Sequence, residues 1–595
     1  MRLIAPAIWL MLTCWANAAP VPVGKGSGIP TELPVPANAA MIIQLNDYSR
    51  LVDHLKTMLI ASFGKDGEKF WAQLNEMDKN EGSRAQLQWK GLTKGDRVYF
   101  AIMSLDFNAE EPPFLAMFPV DDAKAFRTSL FPPETVESTE KGSAFETIKL
   151  KDGETIYCVE SKSRVYMCGS KELAETVSKP FESFKSKSLG DSVAPFFGND
   201  LSYWLNIEAV REKYADEIQQ FKAVIPLIMQ QGAGQLDKQQ LNSAKQILEL
   251  IFQLLEDGKG LVIGLSLKPD GVGLGFHAEF GANTPSGKAT VVEKPSSLDA
   301  LAKLPAGFTI YTGNSLSPRA AQAFAKLYRD FAPADDDKEG RKAFESWNAV
   351  AFDATSTASA MNMDRTSLSA AQHPAAEKSV QGMIAAMKSV GEGMRYQNIP
   401  LKGKPVVVEN DKTFAGVGMH KISLTFDFEA YANAQPEPTR EATIASVKKL
   451  LPETLTMWVG SKADLLVQVA AKEWATAEEI LKKTFAGTET VGRIAGSKLT
   501  RGGLPAEVGA VSLIDTGRLI EFGADYAKTM FGSLPGLPFD ADQIKIAKPK
   551  GEPTYLGFSF TMSGNTGAVD LFLPHRSMGM VYEAIKPMID SGMMP

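Results

Sequence analysis

Few residues in this chain have the types and spacing that chemistry demands. There are five histidines and three cysteines in 595 residues. His54, His277, His373, His420 and His575 are scattered. No two of them stand at the i, i+4 spacing that sets two imidazoles on one helix face for zinc, and no H-E-x-x-H occurs. Each histidine reads as a surface or hairpin residue. No G-x-S-x-G elbow is present. Ser170-Lys171 and Ser461-Lys462 put a hydroxyl next to an amine, but adjacent side chains entering a helix diverge. Both Gly-Ser-Lys runs therefore read as strand end plus helix cap.

Three further patterns imitate known sites. Gly281 to Lys288 resembles a phosphate loop, but it has five residues between its glycines instead of four. Ala289 stands where a magnesium-binding hydroxyl belongs, and no helix evidently follows. Asp335-Asp336-Asp337 lacks the alternating ligands and glycine of a calcium loop and reads as a solvated helix start. Gly271-x-Gly273-x-Gly275 lies inside a strand, not at a strand-to-helix turn. No catalytic residue, metal ligand or cofactor is assigned. The missing motifs weigh against the common enzyme classes and leave activity open.

Cys158 and Cys168 lie in two short strand patterns, 155–160 and 164–168, separated by Ser161-Lys162-Ser163. A three-residue loop at 162–164 places the two cysteines opposite each other. In an oxidising compartment they then close a disulfide, worth about 2–3 kcal/mol in the chain-entropy model. In a different register they are two buried free thiols. Their number and spacing fit neither a CxxC redox motif nor a zinc cluster.

The elements that must hold any site begin after residue 18. Arg2 precedes an apolar run from Leu3 to Trp15, too short for a comfortable membrane helix. Ala16-Asn17-Ala18 supplies the small-x-small pattern of signal peptidase, with cleavage expected between Ala18 and Ala19. Cys14 offers a lipoprotein alternative, but Thr13 and Trp15 fit such a box poorly. No later apolar run is long enough to span a bilayer. The expectation is an exported protein, periplasmic or extracellular, with no transmembrane segment in the mature chain. Apolar residues make up 44% and charged residues 22%, as in ordinary globular proteins. Sixty-three Lys+Arg against 70 Asp+Glu give a net charge of −7, so there is no basic footprint for nucleic acid.

Several patterns recur in the same order, roughly 270–290 residues apart. Leu33-Pro34 leads into strand 40–45 and helix 48–60, and Leu304-Pro305 leads into strand 308–312 and helix 318–331. The run 165–171, ending Gly-Ser-Lys, matches 455–462. Strand 201–207 with its helix matches 508–514 with a helix from Thr516. Hairpin 260–267/271–280 matches 555–562/567–573. Two similar halves are expected, 25–290 and 296–595, each a mostly antiparallel sheet with inserted helices. That is an α+β fold. A helical hairpin, 208–231 and 236–255, is added in the first half. Along 272–280, Val, Leu, Phe, Ala and Phe alternate with Gly, Gly, His and Glu, which reads as a half-buried strand with one polar face.

Val120-Asp121-Asp122-Ala123-Lys124-Ala125-Phe126, a D-x-x-x-F helix start, follows the first hairpin, and a strand pair ending in Gly169-Ser170-Lys171 comes after it. With the export signal and the Leu-Pro strand–helix opening, this resembles large exported bacterial proteins built on a domain of unknown function, often duplicated. The resemblance implies export and an α+β repeat, and no catalytic residues. Three functions follow as expectations. The first is a non-catalytic envelope or secreted protein that binds a protein or envelope component, or serves as a scaffold. The second is a carrier of a lipid or other apolar ligand, with Phe221–Met229, Ile247–Leu255 and the methionines 361, 363, 383, 387 and 394 as lining. The third is an exported hydrolase with an unrecognised site.

Overall fold

A computed structural model describes residues 29–80, 89–104, 113–232, 248–249, 252–291, 293–318, 320, 331–333, 337–396, 399–433, 440–532 and 546–591. The signal segment with Ala18 and Ala19, Cys14, and most of 233–251 lie outside these residues, as do Asp335 and Asp336. The chain forms two compact units. The first comprises Met1–Val291, Gly503–Pro505 and Met562–Arg576; the second comprises Val292–Gly502, Ala506–Thr561 and Ser577–Pro595.

The strands of the first unit are β1 (Glu32–Pro36), β2 (Met41–Leu45), β3 (Val98–Ile102), β4 (Phe114–Pro119), β5 (Val136–Lys141), β6 (Glu146–Leu150), β7 (Thr155–Ser161), β8 (Arg164–Cys168), β9 (Ser183–Lys185), β10 (Leu201–Asn206), β11 (Gly258–Lys268) and β12 (Gly271–Phe280). A strand from far along the chain, β25 (Thr566–Pro574), joins them. The sheet runs β5-β6-β7-β8-β4-β3-β2-β10-β11-β12-β25, and every neighbour is antiparallel. β1 and β9 form a separate pair.

In the second unit the strands are β13 (Ile310–Asn314), β14 (Phe331–Ala332), β15 (Ser356–Met361), β16 (Ser367–Gln372), β17 (Arg395–Tyr396), β18 (Ile399–Pro400), β19 (Val406–Phe414), β20 (Val417–Thr425), β21 (Thr454–Lys462), β22 (Leu465–Ala470), β23 (Ala510–Asp515) and β24 (Tyr555–Ser563). Its sheet runs β19-β20-β21-β22-β16-β15-β13-β23-β24, again antiparallel. β14, β17 and β18 form a small sheet. Read strand for strand, this order has the connectivity of β5-β6-β7-β8-β4-β3-β2-β10-β11. β25 belongs to the first unit, although it falls within the stretch 296–595. The fold is α+β throughout.

Helices enter where capping chemistry allows. Asp47 accepts a hydrogen bond from the Arg50 N–H and starts helix Tyr48–Phe63, which ends at Gly64 with φ 55°. Asp122 does the same for helix Ala123–Leu130 through the Ala125 N–H. That helix covers one face of the first sheet, where Ala116, Phe118, Cys158 and Met167 are buried with Phe126 and Leu130. The other face is packed by Phe196, Phe197, Leu189 and Phe184 against Ile42, Tyr99, Trp204 and Val262. In the second unit, helix Ala376–Ser389 occupies the place of helix Ala123–Leu130 and buries Val380, Met383 and Met387 against Ile422, Leu424 and Met457.

Two sequence expectations shift by one step. The run 165–171 is matched in strand order by β22, not by 455–462, because Leu455–Lys462 forms most of β21 and runs through Ser461 into a hairpin. Ser170 does cap helix Lys171–Val177, accepting from the Leu173 N–H at 3.3 Å. Ser461 caps nothing; its hydroxyl donates to Glu377 at 2.5 Å. The second correction concerns the cysteines. β7 and β8 are joined by a two-residue turn, Lys162-Ser163, so Ser161 pairs with Arg164. That is one residue tighter than the expected loop. Cys158 therefore pairs with Met167, and Cys168 with Tyr157. A one-residue slip flips every side chain, so the two thiols lie on opposite faces of the sheet. They are free and buried, and burial pushes both up to about 12. Alkylating the denatured protein without reductant is expected to modify both Cys158 and Cys168. A mass showing neither modified would contradict this register.

Candidate functional site

β10, β11, β12 and β25 carry an alternation with two unequal sides. One side is fully buried. It bears Ser202, Trp204, Val262, His277, Ala568, Asp570 and Phe572. Glycines create space there. A Cβ on Gly264 would fall 1.8 Å from the Asn199 amide nitrogen, and one on Gly271 would fall 2.4 Å from the Phe572 ring. Hydrogen bonds fasten the segment 193–199 to this side. Ser202 Oγ donates to Phe196 O at 2.6 Å, Ser266 Oγ to Asn199 Oδ1 at 2.8 Å, and Gln44 Nε2 to Phe196 O at 3.3 Å. His277 Nε2 stands 3.2 Å from Asp570 Oδ1 across the β12–β25 ladder.

The other side is apolar and only half-buried. Its cross-strand rows are Leu201–Leu265–Leu274–Leu571, Tyr203–Ile263–Phe276–Val569 and Leu205–Leu261–Ala278. This inverts the expectation for 272–280. The Gly/His side is the packed one, because small residues admit the 193–199 segment, whereas Leu274, Phe276 and Ala278 are left half-buried. Helix Tyr48–Phe63 starts on the apolar side. Tyr48 stacks on Trp89 at 4.5 Å, and Trp89 packs with Phe118 and Phe126.

At the start of β10 the helix is tied to the sheet by charge. Buried Asp200 accepts from the Leu267 N–H at 2.8 Å through Oδ2. Its Oδ1 faces Arg50 Nη2 at 3.1 Å and His54 Nδ1 at 3.3 Å. Arg50 and His54 are four residues apart, on one helix face. Four of the five histidines are buried, not on the surface. His373 joins two helices, with Nε2 2.8 Å from Val350 O and Nδ1 accepting from the Ala375 N–H. His420 Nδ1 accepts from the Asn410 N–H at 3.3 Å. His575 is enclosed at the end of β25, and burial pushes its pKa down. No group of three or more His, Cys, Asp or Glu suited to a metal is found among the described residues.

The imitation phosphate loop does contain a short helix, Pro285–Val291, which the sequence did not announce. Its first amides are already taken. Ser286 N–H donates to Asp257 Oδ2 at 2.8 Å and Gly287 N–H to Thr284 Oγ1 at 3.2 Å. Burial alone would raise the Asp257 carboxyl, but the bonds from Ser286 and Gln253 carry it below its ordinary value. Asp337 caps helix Lys338–Ala351 through the Gly340 N–H and holds the Gly391 N–H as well.

In the second unit the corresponding side is polar on some strands and largely apolar on others. Its polar row Gln468–Ser369–Ser359–Thr312 crosses β22, β16, β15 and β13, the counterparts of β8, β4, β3 and β2, whereas on β23 and β24, the counterparts of β10 and β11, the rows are Ile514–Leu556, Ser512–Phe558 and Ala510–Phe560. Met383, Met387 and Met394 are filled core there, and Met361 and Met363 are half-buried. A cavity of about 550 Å³ in this unit is lined by Asp364, Arg365, Glu453, Lys472, three threonines and apolar residues. Two acids balance two bases, so it selects neither charge. Of the lining expected on helices, Phe221, Val224 and Leu254 are exposed, and much of 225–251 lies outside the residues whose side chains are described. The strand rows carried no expectation of ligand binding. Their signal was the apolar content of both sides of β11.

Among the described residues no helix is long and apolar enough to cross a membrane. No family model matches the chain. No curated protein matches it either. A solved structure, crystal form I of TP0453, is similar at 8% identity over 43% of this chain and 80% of that one, with a TM-score of 0.21. A likeness at that score carries no argument about fold or function.

Substituting Asp200→Ala leaves the Leu267 N–H without its acceptor and is expected to lower unfolding free energy by about 1–3 kcal/mol. Arg50→Ala, at a side chain 43% exposed, is expected to have a much smaller effect, below about 1 kcal/mol. Urea unfolding of the two variants checks the order.

Proposed function

We propose that the protein is exported and that its first unit binds an apolar molecule of the acyl-chain class on the half-buried side of β10, β11, β12 and β25. The observation that carries this reading is the unequal burial of two apolar strand sides. One is packed to completion. The other keeps leucines, an isoleucine, a valine and a phenylalanine partly in contact with solvent. The second unit has the same strand order, and on β23 and β24, the counterparts of β10 and β11, the corresponding rows are Ile514–Leu556, Ser512–Phe558 and Ala510–Phe560.

The chemistry of the rows restricts the ligand. The strands spend their backbone donors and acceptors on ladders, and the side chains offer almost no polar atoms. A polar ligand set there would lose its hydrogen bonds to water without replacement, while an acyl chain loses nothing. Export rests on the residues around Ala18 and Ala19, and agrees with the resemblance to exported bacterial repeat proteins. This function favours a carrier over a pure scaffold.

The test is titration of the mature chain with a fluorescent hexadecanoic acid, with native mass spectrometry for stoichiometry. Saturable binding is expected. Ile263→Asn places an amide in the middle row and is expected to weaken binding about tenfold or more. Ser359→Asn, in the second unit, is expected to leave it unchanged. Thermal unfolding verifies that both variants fold. Absence of saturable binding by the wild type, or equal binding by Ile263→Asn, overturns the reading.

A further inference from the structure

The middle row holds one polar atom, the hydroxyl of Tyr203. The ring lies between Ile43 on β2 and Ile263 on β11, on the half-buried side. No hydrogen bond to its hydroxyl is found among the described residues. The fully buried tyrosines differ. Tyr311 donates to Pro305 O and accepts from the Phe308 N–H. Tyr99 has Arg97 beside it, Tyr166 has Arg164, and Tyr555 has Tyr311. At Tyr203 burial alone acts, and it raises the phenol to about 12. Tyr203 is half-buried, and its hydroxyl is not among the buried polar atoms left without a partner, so it stays open to a partner from outside the chain.

We infer that the ligand is an oxygen-bearing acyl lipid, one whose carboxylate or ester oxygen accepts a hydrogen bond from the Tyr203 hydroxyl while its chain lies on the leucine rows. This rests on the reading of that side as an apolar binding face. It adds polarity and orientation to it. Because the phenol stays protonated across the physiological range, it acts as a donor throughout. A pure hydrocarbon would occupy the rows but leave the hydroxyl unmet. An acyl oxygen satisfies it at the one place where the face can recognise anything beyond shape.

The experiment compares wild type and Tyr203→Phe, which preserves the ring and its packing. Each is titrated with dodecanoate, methyl dodecanoate and dodecane by displacement of a bound fluorescent hydrocarbon probe. Dodecane is expected to bind both proteins equally. At least one oxygen-bearing ligand is expected to bind the wild type about fivefold or more tightly than Tyr203→Phe. Loss confined to dodecanoate assigns a free carboxylate; loss with the methyl ester as well assigns the carbonyl oxygen. If all three ligands bind both proteins alike, the inference about Tyr203 falls while the apolar face stands. If none of them, nor the probe, binds the wild type, the binding face itself falls, and the inference with it.

Discussion

The hydrogen-bonded ladder between β12 and β25 is the constraint on which the first unit turns. It pairs nine residues, from Gly271 with Pro574 to Glu279 with Thr566. Without it β12 would be a long edge strand of glycines and apolar residues, the kind that proteins elsewhere keep short or charged. With it, Phe572 settles over Gly271, Asp570 meets His277, and Leu571 extends the leucine row from Leu201. One strand thus supplies both the last piece of the packed side and the last column of the apolar side.

The two sides divide their roles because of what each can accept. Small residues on the packed side let the 193–199 segment approach the sheet, and Asn199, Ser202, Ser266 and Gln44 fix it there by hydrogen bonds. Such a network specifies one docking geometry more sharply than apolar contact alone. It also fixes which side remains for other contacts. The charged tie of helix Tyr48–Phe63 to Asp200 then sets where that helix begins. The second unit uses the same strand order, with hydroxyl side chains on this side of β13, β15 and β16 and largely apolar rows on β23 and β24.

Much of the frame was legible in the sequence. The alternation marked the β11–β12 hairpin, and Asp122 marked the start of helix Ala123–Leu130. Thr516 opened its helix where the pattern placed it. These signals are local: a cap, a turn, a period of two. What was not legible depends on partners distant in sequence. Whether 162–164 turns in two residues or three decides the side of each cysteine, and both turns suit the same residues. The side of β12 that packs is decided by Asn199, Phe572 and Asp570, none of which lies near it in the chain. The matching of 165–171 to 455–462 failed because Gly-Ser-Lys can cap a helix or continue a strand. Tyr203 gave no sign at all, since one tyrosine in a strand is ordinary core until its neighbours are known.

The place of β25 in the chain has a consequence for the order of events during synthesis. β12 is complete long before its partner exists; about 290 residues separate the two strands, which at roughly 5–20 residues per second leaves the edge of β12 unpaired for about 15–60 s. Throughout that interval the first unit lacks its β25 column and waits on a segment made much later. A chain that must cross a membrane before folding avoids this exposure by keeping both strands unstructured until they arrive together. The topology thus places completion of the first unit after the synthesis of β25.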